Sequence, residues 1–550
     1  MQETGHRSRS VLSGVVVILA AGLLVSASAQ ATAGGDAARC AALGSLPIPA
    51  GAIGLPTSGA VVDSAAWIGA DAPGNRDGAF CRVLGRIDPA DPQAPPIRFE
   101  VNLPADWNRH AVQFGGGAYD GVLVTGLGRY SNEPLQEPTP LAAGYVTLGS
   151  DGGHAGFGFD GRFALNKEAL WNYGRYSVKK THDAAMAVVS AFYGARPQRM
   201  FFIGGSQGGH EALVAAALYP QDYDGVVANY PAYNITLLQM DGVPISKALY
   251  DHDGAGWLDP AKVKLLTGAV YAACDRLDGA ADGIISDVAA CRKVFTLDTV
   301  RSQLRCPGGA DTGDTCLSDA QIATVATIDA PYAPGFAVAG MTEFPRWPIL
   351  EGAVFRLGSL GTLRQPTDPA PGREAFQYLV ASGITRYFIT RDPQFDPLTF
   401  VASAWKPQVE RSAAAVDITD ASLAAFAARG GKIILMHGTI DDLISPYNSV
   451  AYYQRQFHAF GQQKLDSFLC FYLIPGMGHG FGVFSATYDS LGALEAWVGK
   501  GHAPGTLLAI DANPGAHRTR PMCLYPDYPR FTGGPGASLD DAASFTCTAP

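Results

Sequence analysis

The chain has 550 residues, of which 47% are hydrophobic and 16% are charged, and its formal net charge at pH 7 is −10. A chain of this length and composition can bury a large core, which excludes a disordered protein and indicates one enlarged domain or two. The negative charge argues against a nucleic-acid partner, because surfaces that bind nucleic acids are basic.

The first residues of the chain, 1–29, predict a signal peptide. Arg7 and Arg9 form a basic start, residues 11–25 are mostly apolar, and the small residues 27–29 offer a cleavage site. We expect the mature protein to be secreted or periplasmic and not attached to a membrane. An uncleaved membrane anchor is the alternative.

The nine cysteines fit an oxidising compartment. None of them forms a C-x-x-C pair, so zinc binding and thioredoxin-like chemistry are poorly supported. Cys470 lies in an apolar stretch and is predicted to be a buried, unreactive thiol. The other eight are expected to form four disulfides. These are Cys40–Cys81, Cys274–Cys291, Cys306–Cys316 and Cys523–Cys547.

Several strands are predicted before the middle of the chain. Residues 97–103 alternate apolar and polar side chains, which is typical of a half-buried strand. Apolar stretches near residues 112, 146 and 202 then alternate with predicted helices. This alternation indicates a largely parallel sheet of the α/β class.

A glycine-rich loop, Gly115-Gly116-Gly117, follows the strand at 111–114. Such a loop lets backbone N–H groups come close to a ligand. A phosphate-binding loop would end in Lys-Ser or Lys-Thr, which this loop does not, and a plain flexible turn is the remaining alternative.

The clearest catalytic signal is the segment Gly204-Gly205-Ser206-Gln207-Gly208. The apolar run 199–203 before it predicts a buried strand, and residues 211–218 after it predict a helix. A G-x-S-x-G turn between a strand and a helix is the pattern of a nucleophile elbow. It would hold Ser206 at a helix N-terminus, where backbone N–H groups can face a developing oxyanion.

Residues 245–419 interrupt the strand–helix pattern, because they are rich in Pro, Gly, Asp and aromatic residues and have no regular period. The strand pattern resumes at 431–438. We therefore predict a catalytic core formed by residues 40–244 and 420–550, with 245–419 inserted as a lid.

An acidic loop inside the insertion predicts a calcium site. Asp275, Asp278 and Asp282 follow one another at spacings of three and four, with two glycines that can turn the chain. Backbone carbonyls of Ala280 and Ile284 would complete the oxygen shell that Ca²⁺ prefers. Mg²⁺ fits a loop so rich in protein oxygens less well, and a solvated acidic turn is the alternative.

A serine nucleophile needs a histidine base and an acid that orients it. In α/β-hydrolases the acid follows a late strand and the histidine follows the last one. Asp441 and His479 stand in these positions, with Asp442 as the competing acid. His437 is predicted to contact the substrate. A purely structural role in the turn is an equal alternative for it. His154 is a second candidate for the base, but a structural role in its turn is favoured.

The predicted chemistry is ester hydrolysis through an acyl-enzyme. His479 takes the proton of Ser206, which attacks the carbonyl carbon. The N–H of Gln207, with that of Gly117 or Ala118, stabilises the oxyanion. The alcohol then leaves, and water releases the acid in a second round.

Together these segments resemble the tannase and feruloyl esterase family, which includes a bacterial hydrolase of mono(2-hydroxyethyl) terephthalate. The resemblance covers most of the mature chain. The matching segments are the 115–117 loop, Phe202-Ile203-Gly204-x-Ser206-x-Gly208-Gly209, Tyr223-Asp224-Gly225, the 274–284 loop, His437-Gly438-x-x-Asp441, Pro475-Gly476-Met477-x-His479 and Arg518-Thr519-Arg520-Pro521-x-Cys523.

The resemblance implies an α/β-hydrolase core, a lid with a bound Ca²⁺, and a catalytic triad of Ser206, Asp441 and His479. It also implies two oxyanion donors and five calcium ligands, namely Ala118 and Gln207, and Asp275, Asp278, Ala280, Asp282 and Ile284. This family usually carries one cysteine before the serine and one after the histidine, joined as a disulfide. Gly205 and Gly480 occupy those positions here, so the bridge is missing.

The substrates implied by the resemblance are esters of aromatic acids of the feruloyl, galloyl or terephthalate-monoester type, bound by a monomer. Phe355 is predicted to contact the acyl group and Tyr378 is a second candidate, with ordinary core packing as the alternative for each. Arg364, Arg373 and Arg386 are candidates for binding a free carboxylate. A catalytically silent binding protein on the same scaffold and an acyltransferase are the alternative functions.

Overall fold

A computed structural model describes most of the chain after its first segment, namely residues 35–156, 158–353, 355, 360–367, 373–419 and 422–550. The predicted signal peptide, residues 1–29, lies outside the described residues. Within them, no helix combines the length and the apolar character that crossing a membrane requires.

Ten strands among the described residues form one central sheet. Their bounds are β1 Pro47–Ile48, β2 Gly59–Ile68, β3 Phe80–Asp88, β4 Ile97–Pro104, β5 His110–Phe114, β6 Val146–Ser150, β7 Arg199–Gly205, β8 Gly225–Asn229, β9 Lys432–Gly438 and β10 Leu469–Ile474. Their spatial order is β1-β2-β3-β4-β6-β5-β7-β8-β9-β10. All neighbours from β6 to β10 run parallel, and β1 to β4 add an antiparallel edge.

Two small antiparallel sheets follow the central one. The first contains β11 Ala486–Thr487, β12 Leu507–Asp511 and β13 Thr519–Met522, and the second contains β14 Tyr528–Phe531 and β15 Phe545–Thr548. The parallel half of the central sheet confirms the α/β class predicted from the alternating strands and helices.

Helices cover the sheet and fill the segment between β8 and β9. Their bounds are α1 Lys167–Trp171, α2 Ser177–Tyr193, α3 Gln207–Leu218, α4 Ile235–Met240, α5 Gly242–Gly254, α6 Pro260–Cys274, α7 Val288–Val294, α8 Leu297–Gln303, α9 Asp319–Ile328, α10 Phe376–Gly383, α11 Lys406–Val416, α12 Ala424–Ala428, α13 Pro446–Phe460, α14 Gln462–Asp466 and α15 Ser490–Lys500. Single π-helical turns occur at Asn172–Tyr176 and Ile384–Ile389.

The central strands are buried on both faces. Ile203, Val227 and Ile434 on one face, and Phe202, Val226 and Ile433 on the other, are at most 1% exposed. This explains why these strands read as continuous apolar runs in the sequence, since helices cover both faces of a parallel sheet.

Strand β4 differs from its predicted half-buried pattern. Glu100 and Asn102 are fully buried although they stand at the polar positions of the alternation. Glu100 accepts two hydrogen bonds from Arg82 at 2.9 Å, and the Asn102 amide donates to the Thr125 carbonyl at 2.7 Å. Polar partners from neighbouring segments therefore cover the face that was expected to meet water.

The chain leaves the sheet after Asn229 and returns at Lys432, yet β8 and β9 are hydrogen-bonded parallel neighbours. The described residues of this excursion form helices, turns and isolated bridges. The predicted lid, 245–419, lies inside it, and its standing as a separate domain stays a prediction.

All four expected disulfides are present, which confirms the pairing Cys40–Cys81, Cys274–Cys291, Cys306–Cys316 and Cys523–Cys547. Cys470 is a free, buried thiol on β10, as expected. Burial raises the pKa of its thiol to about 12, so it stays protonated and unreactive.

Candidate active site

Ser206 lies in a sharp turn between β7 and α3. Its backbone has a φ of 61° and a ψ of −119°, which is a strained conformation for a residue with a side chain. A Cβ atom on Gly204 would lie 2.3 Å from the Gly208 carbonyl, so this close approach requires glycine. The Ser206 N–H donates to the Asn229 carbonyl at 3.0 Å and fastens the turn to β8.

Asp441 and His479 lie together after the ends of β9 and β10. His479 Nδ1 contacts Asp441 Oδ2 at 2.8 Å, and Asp441 Oδ1 accepts hydrogen bonds from the N–H groups of Leu443 and Ile444 at 2.9 and 3.0 Å. Burial opposes its charge, but His479 and then His437 hold the pKa of Asp441 well below its usual range. The carboxylate is thus charged and its lone pairs are directed at the histidine. Asp441, and not Asp442, is the acid that contacts His479.

His437 lies behind Asp441 and is fully buried. Its Nδ1 contacts Ser449 Oγ at 2.7 Å, and its Nε2 lies 3.2 Å from Asp441 Oδ2 and 2.9 Å from the Ile444 carbonyl. With both ring nitrogens occupied inside the protein, His437 does not reach the cavity. The prediction that it contacts the substrate is therefore corrected: it supports Asp441 instead.

The two candidate oxyanion donors lie on either side of the serine. Gln207 is the first residue of α3, and Ala118 sits in the glycine-rich loop with a φ of 55°. Within the described part of the chain, neither backbone N–H has a hydrogen-bond acceptor. The Gln207 side chain is held by Tyr173, whose hydroxyl donates to it at 3.1 Å. Both N–H groups are thus available to a ligand.

A buried acidic pair, Glu211 and Asp120, lies at the glycine-rich loop, and no sequence pattern indicates it. Glu211 Oε2 accepts the Gly116 N–H at 2.8 Å, and the Gly116 carbonyl accepts the Gly208 N–H at 3.0 Å. Burial raises the pKa of Glu211 to about 7. Burial, and then the charges of Glu211 and Asp151, also raise the pKa of Asp120 well above its usual range.

Ser206 and His479 open into one cavity of about 340 Å³. Its walls are mostly apolar, with two glutamine amides as the main polar side chains. The lining residues are Gly117, Ala118, Phe159, Ser206, Leu238, Gln239, Phe376, Gln377, Val380, Leu443, Ile444 and His479. Helix α10 from the insertion contributes Phe376, Gln377 and Val380, so the insertion forms one wall of the site. The candidate nucleophile Ser206, the candidate base His479 and Ala118 thus meet at a cavity whose lining includes two phenylalanines.

Phe355 does not reach this cavity. It is 2% exposed and lines a separate cavity with Leu258 and Tyr271, where it packs against Trp347 at a ring distance of 6.5 Å. The expectation that it contacts the acyl group is corrected on this ground. Tyr378 is also absent from the lining and packs edge-on against Tyr250.

The arginine candidates lie elsewhere as well. Arg364 donates to the Asp253 carbonyl at 2.9 Å, Arg386 donates to the Phe395 carbonyl at 2.8 Å, and Arg373 is exposed. Among the described residues, no arginine or lysine lines the cavity that holds Ser206.

His154 has a structural role. Its ring stacks on Phe163 at 3.8 Å, and burial lowers its pKa to about 4. It is not part of the cavity lining, which agrees with the structural turn favoured for this segment.

The positions Gly205 and Gly480 face the same side chain. A Cβ atom on Gly205 would lie 2.8 Å from ring atoms of Tyr230, and one on Gly480 would lie 2.7 Å from its hydroxyl oxygen. The Tyr230 side chain therefore fills the space next to the two positions at which the family is expected to carry its cysteine pair.

The acidic loop 275–284 lies between α6 and α7, which the Cys274–Cys291 disulfide joins. Asp282 contacts Arg520 at 2.5 Å, and burial and then the charge of Asp282 raise the pKa of Asp278. The carbonyls of Ala280 and Ile284 accept no hydrogen bond from the described residues, although both residues are buried. Carboxylates and free backbone carbonyls are the ligand types that a hard cation prefers, although Asp282 is paired with Arg520 in this structure.

The model of the family described as "Tannase and feruloyl esterase" matches residues 81–548 of the chain. An uncharacterized esterase of Agrobacterium fabrum is 35% identical over 545 residues, which cover 97% of each chain. The mono(2-hydroxyethyl) terephthalate hydrolase of Piscinibacter sakaiensis is 30% identical, over 90% of this chain and 89% of the relative.

Two solved structures share the fold. Feruloyl esterase B of Aspergillus oryzae aligns with a TM-score of 0.74 at 22% identity, and covers 93% of this chain and 100% of its own. Tannin acyl hydrolase of Aspergillus niger aligns with a TM-score of 0.67 at 17% identity, over 91% of this chain and 94% of its own. At these identities the two structures support the architecture alone.

Proposed function

Since the chain belongs to the tannase and feruloyl esterase family, and is therefore a carboxylic ester hydrolase, we propose that it hydrolyses esters of aromatic acids through a serine acyl-enzyme. The observation that carries this proposal is the 2.8 Å contact between Asp441 and His479 at the cavity that also holds Ser206. A strained serine, a histidine and a buried carboxylate in this arrangement are the groups that acyl transfer needs.

The reaction proceeds in two halves. His479 Nε2 takes the proton of Ser206 Oγ as this oxygen attacks the ester carbonyl, while Asp441 holds the Nδ1 proton. The tetrahedral oxyanion accepts hydrogen bonds from the N–H groups of Ala118 and Gln207. His479 then donates its new proton to the departing alcohol, which leaves Ser206 acylated. Water, deprotonated by His479, attacks the acyl group, and the freed acid leaves as Ser206 recovers its proton.

The cavity favours an uncharged aromatic acyl group. Phe159 and Phe376 offer ring faces, and the amides of Gln239 and Gln377 can pair with phenolic hydroxyls. A free carboxylate would find no cationic side chain among the described lining residues. Feruloyl and galloyl esters therefore rank above terephthalate monoesters as substrates.

A structural Ca²⁺ in the 275–284 loop belongs to the same proposal. Asp275, Asp278 and Asp282 would hold it with the carbonyls of Ala280 and Ile284. The ion would supply positive charge that holds the loop closed. Export fits the four disulfides, and we propose a secreted or periplasmic monomer.

Turnover of a panel of esters tests the catalytic assignment. The purified protein is expected to hydrolyse methyl ferulate or methyl gallate, and Ser206→Ala is expected to abolish turnover. Asp441→Asn should lower kcat by about 10³- to 10⁴-fold, because the histidine loses its orienting acid. Asp442→Asn is the matched control, and it should keep turnover within a few-fold of wild type.

A fluorophosphonate probe separates an enzyme from a silent binding protein. The probe should label wild type and leave Ser206→Ala unlabelled. A folded protein that turns over no ester in the panel and resists the probe would contradict the proposal, as would equal losses in Asp441→Asn and Asp442→Asn.

A further inference from the structure

Tyr230 fills a space that two glycines leave open beside the candidate nucleophile and base. Gly205 directly precedes Ser206, and Gly480 directly follows His479. A Cβ atom on either glycine would approach atoms of the Tyr230 side chain to 2.8 or 2.7 Å, distances that real Cβ atoms do not tolerate. Gly480 also needs glycine for its φ of 81°, whereas Gly205 has no positive φ. At Gly205, therefore, the reason that no side chain can be accommodated is the nearby Tyr230 ring.

The ring of Tyr230 packs directly against the imidazole of His479. Their centroids are 4.6 Å apart and the planes are inclined by 54°. The backbone of Tyr230 is fixed, since its N–H donates to the Met436 carbonyl at 2.6 Å. Tyr230 is 6% exposed, so this contact is buried.

The hydroxyl of Tyr230 is tied to the loop that carries His479. It donates to Asn132 Oδ1 at 3.0 Å, and the Asn132 amide donates to the carbonyls of Gly480 at 3.3 Å and Ala486 at 2.7 Å. Burial raises the pKa of Tyr230 to about 12, so the hydroxyl keeps its proton and remains a donor. One side chain therefore touches the turn before Ser206, the ring of His479 and, through Asn132, the loop after His479.

We propose that Tyr230 is a positioning residue that keeps the His479 imidazole in line with Ser206 and favours its protonated form during acyl transfer. The inference rests on the proposed function, because it assumes that His479 is the base. The ring acts in two ways. It blocks the space into which the imidazole would otherwise turn, and its π-electrons stabilise a neighbouring positive charge.

The charged and titratable groups near His479 can be named, and Glu211 and Asp120 under the glycine-rich loop titrate as well, so the pH profile of each Tyr230 variant is compared with that of wild type, in which these acids are the same. Asp441 binds Nδ1, His437 lies behind Asp441, Tyr230 packs on the ring and Ser206 shares the cavity. Loss of the aromatic ring removes stabilisation of the imidazolium. The acid limb of the kcat/KM profile should then move to lower pH relative to wild type.

Substitutions at Tyr230 separate the ring from its hydroxyl. Tyr230→Leu should lower kcat about tenfold or more with KM within about twofold, since a displaced base impairs chemistry more than binding. Its acid limb should move to lower pH. Tyr230→Phe keeps the ring, so it should retain kcat within about threefold and leave the acid limb in place. An unchanged kcat and pH profile in folded Tyr230→Leu would overturn the inference.

A second set of variants tests the same contact from the other side. Gly205→Ala should push the ring away and lower kcat about tenfold, whereas the same change in a Tyr230→Ala background should cost far less, because the space is empty. Gly499→Ala, at a helical position with nothing within 4 Å of the added carbon, is the matched control. Equal costs of Gly205→Ala in both backgrounds would refute the contact.

Ser206→Ala and His479→Ala, measured in parallel, distinguish failure of the Tyr230 positioning role from failure of the esterase mechanism. If both abolish turnover while the Tyr230 variants behave as wild type, the positioning role fails and the esterase mechanism stands. If His479→Ala retains turnover, the mechanism itself fails.

Discussion

Glu211 illustrates how a single buried residue can govern the site without touching a substrate. It lies under the glycine-rich loop, accepts the Gly116 N–H and shares its surroundings with Asp120. Two buried acids so close together hold a proton more tightly than exposed ones. The loop that presents Ala118 therefore depends on a protonation state.

The pH dependence of Glu211 has a defined sign. Its folded pKa of about 7 lies above the ordinary 4.5, so between these values the folded state binds a proton that the unfolded chain releases. The free energy of unfolding then falls as the pH rises. Glu211→Gln should be more stable than wild type at pH 8, by about 2 to 3 kcal/mol, and equally stable at pH 4. Thermal melts at both pH values measure this.

The exposed Glu343→Gln serves as the control and should change neither melt. Equal destabilisation of Glu211→Gln at pH 4 and pH 8 would contradict the prediction, because it would indicate lost packing and not a lost charge.

The role of a single residue can be predicted from the sequence only when the residues next to it in the chain define its structure. Sequence alone singles out Ser206, Asp441 and His479 as the candidate triad, because each lies in a short turn whose neighbours in the chain define its structure. The expected substrate contacts of His437 and Phe355 do not agree with their buried positions outside the cavity, and no sequence pattern singles out Tyr230. Their roles depend on which distant segments pack against them, and no local pattern encodes that.

The acidic loop 275–284 is both the candidate metal site and a structural connection between two parts of the chain. It connects α6 to α7, the Cys274–Cys291 disulfide closes it, and Arg520 on β13 contacts its Asp282. The loop thus joins the insertion to the C-terminal part of the chain. An ion bound here would stabilise that junction.

Calcium content tests this element. Purified protein is expected to contain one Ca²⁺ per chain, and removal of the ion with a chelator should lower Tm, because unscreened carboxylates would repel one another. Asp278→Asn should lose the metal and mimic the chelator. Metal analysis and thermal melts are the measurements. Asp298→Asn, at an exposed position outside the loop, should keep the ion.

A protein without stoichiometric Ca²⁺ whose Tm ignores the chelator would refute the calcium site. The esterase mechanism would be unaffected by that result, since none of its steps uses the ion.

The positions of the strands can be predicted from the sequence more accurately than the contacts that their side chains make. The strands β5, β6 and β7 were recognisable as buried apolar runs. Strand β4 has the predicted position, but its alternation suggests water on one face, where Glu100 and Asn102 instead meet protein hydrogen-bond partners. Period-2 patterning reports which residues are polar, and it does not report whether a protein partner or water satisfies them.

The described part of the chain is built around one central sheet, whose strand order departs from the chain order only at β5 and β6 and which is interrupted by a long excursion between β8 and β9. The alternation of apolar stretches with predicted helices implies the parallel half of this sheet. The antiparallel edge of β1 to β4 was not predicted, because strand pairing across an edge depends on tertiary contacts. The wall that α10 adds to the cavity was likewise beyond sequence reasoning.

Disulfide removal should separate stability from catalysis at this scale. Cys40–Cys81 closes 41 residues, so replacing both cysteines by alanine should cost about 4 kcal/mol in the chain-entropy description, against about 3 kcal/mol for Cys306–Cys316, which closes 10. Neither pair lines the cavity, so kcat at 25 °C should be unchanged. Denaturant melts and ester turnover measure the two effects, and a fall in kcat in a folded variant would contradict the separation.

The aromatic side chain between Gly205 and Gly480 has a practical consequence. No sulfur–sulfur bond lies against Ser206 or His479, so glutathione or an added thiol has nothing to cleave there. A reductant is therefore expected to act on the four disulfides away from the candidate site, and so on the resistance of the fold to unfolding, before it acts on the proposed chemistry.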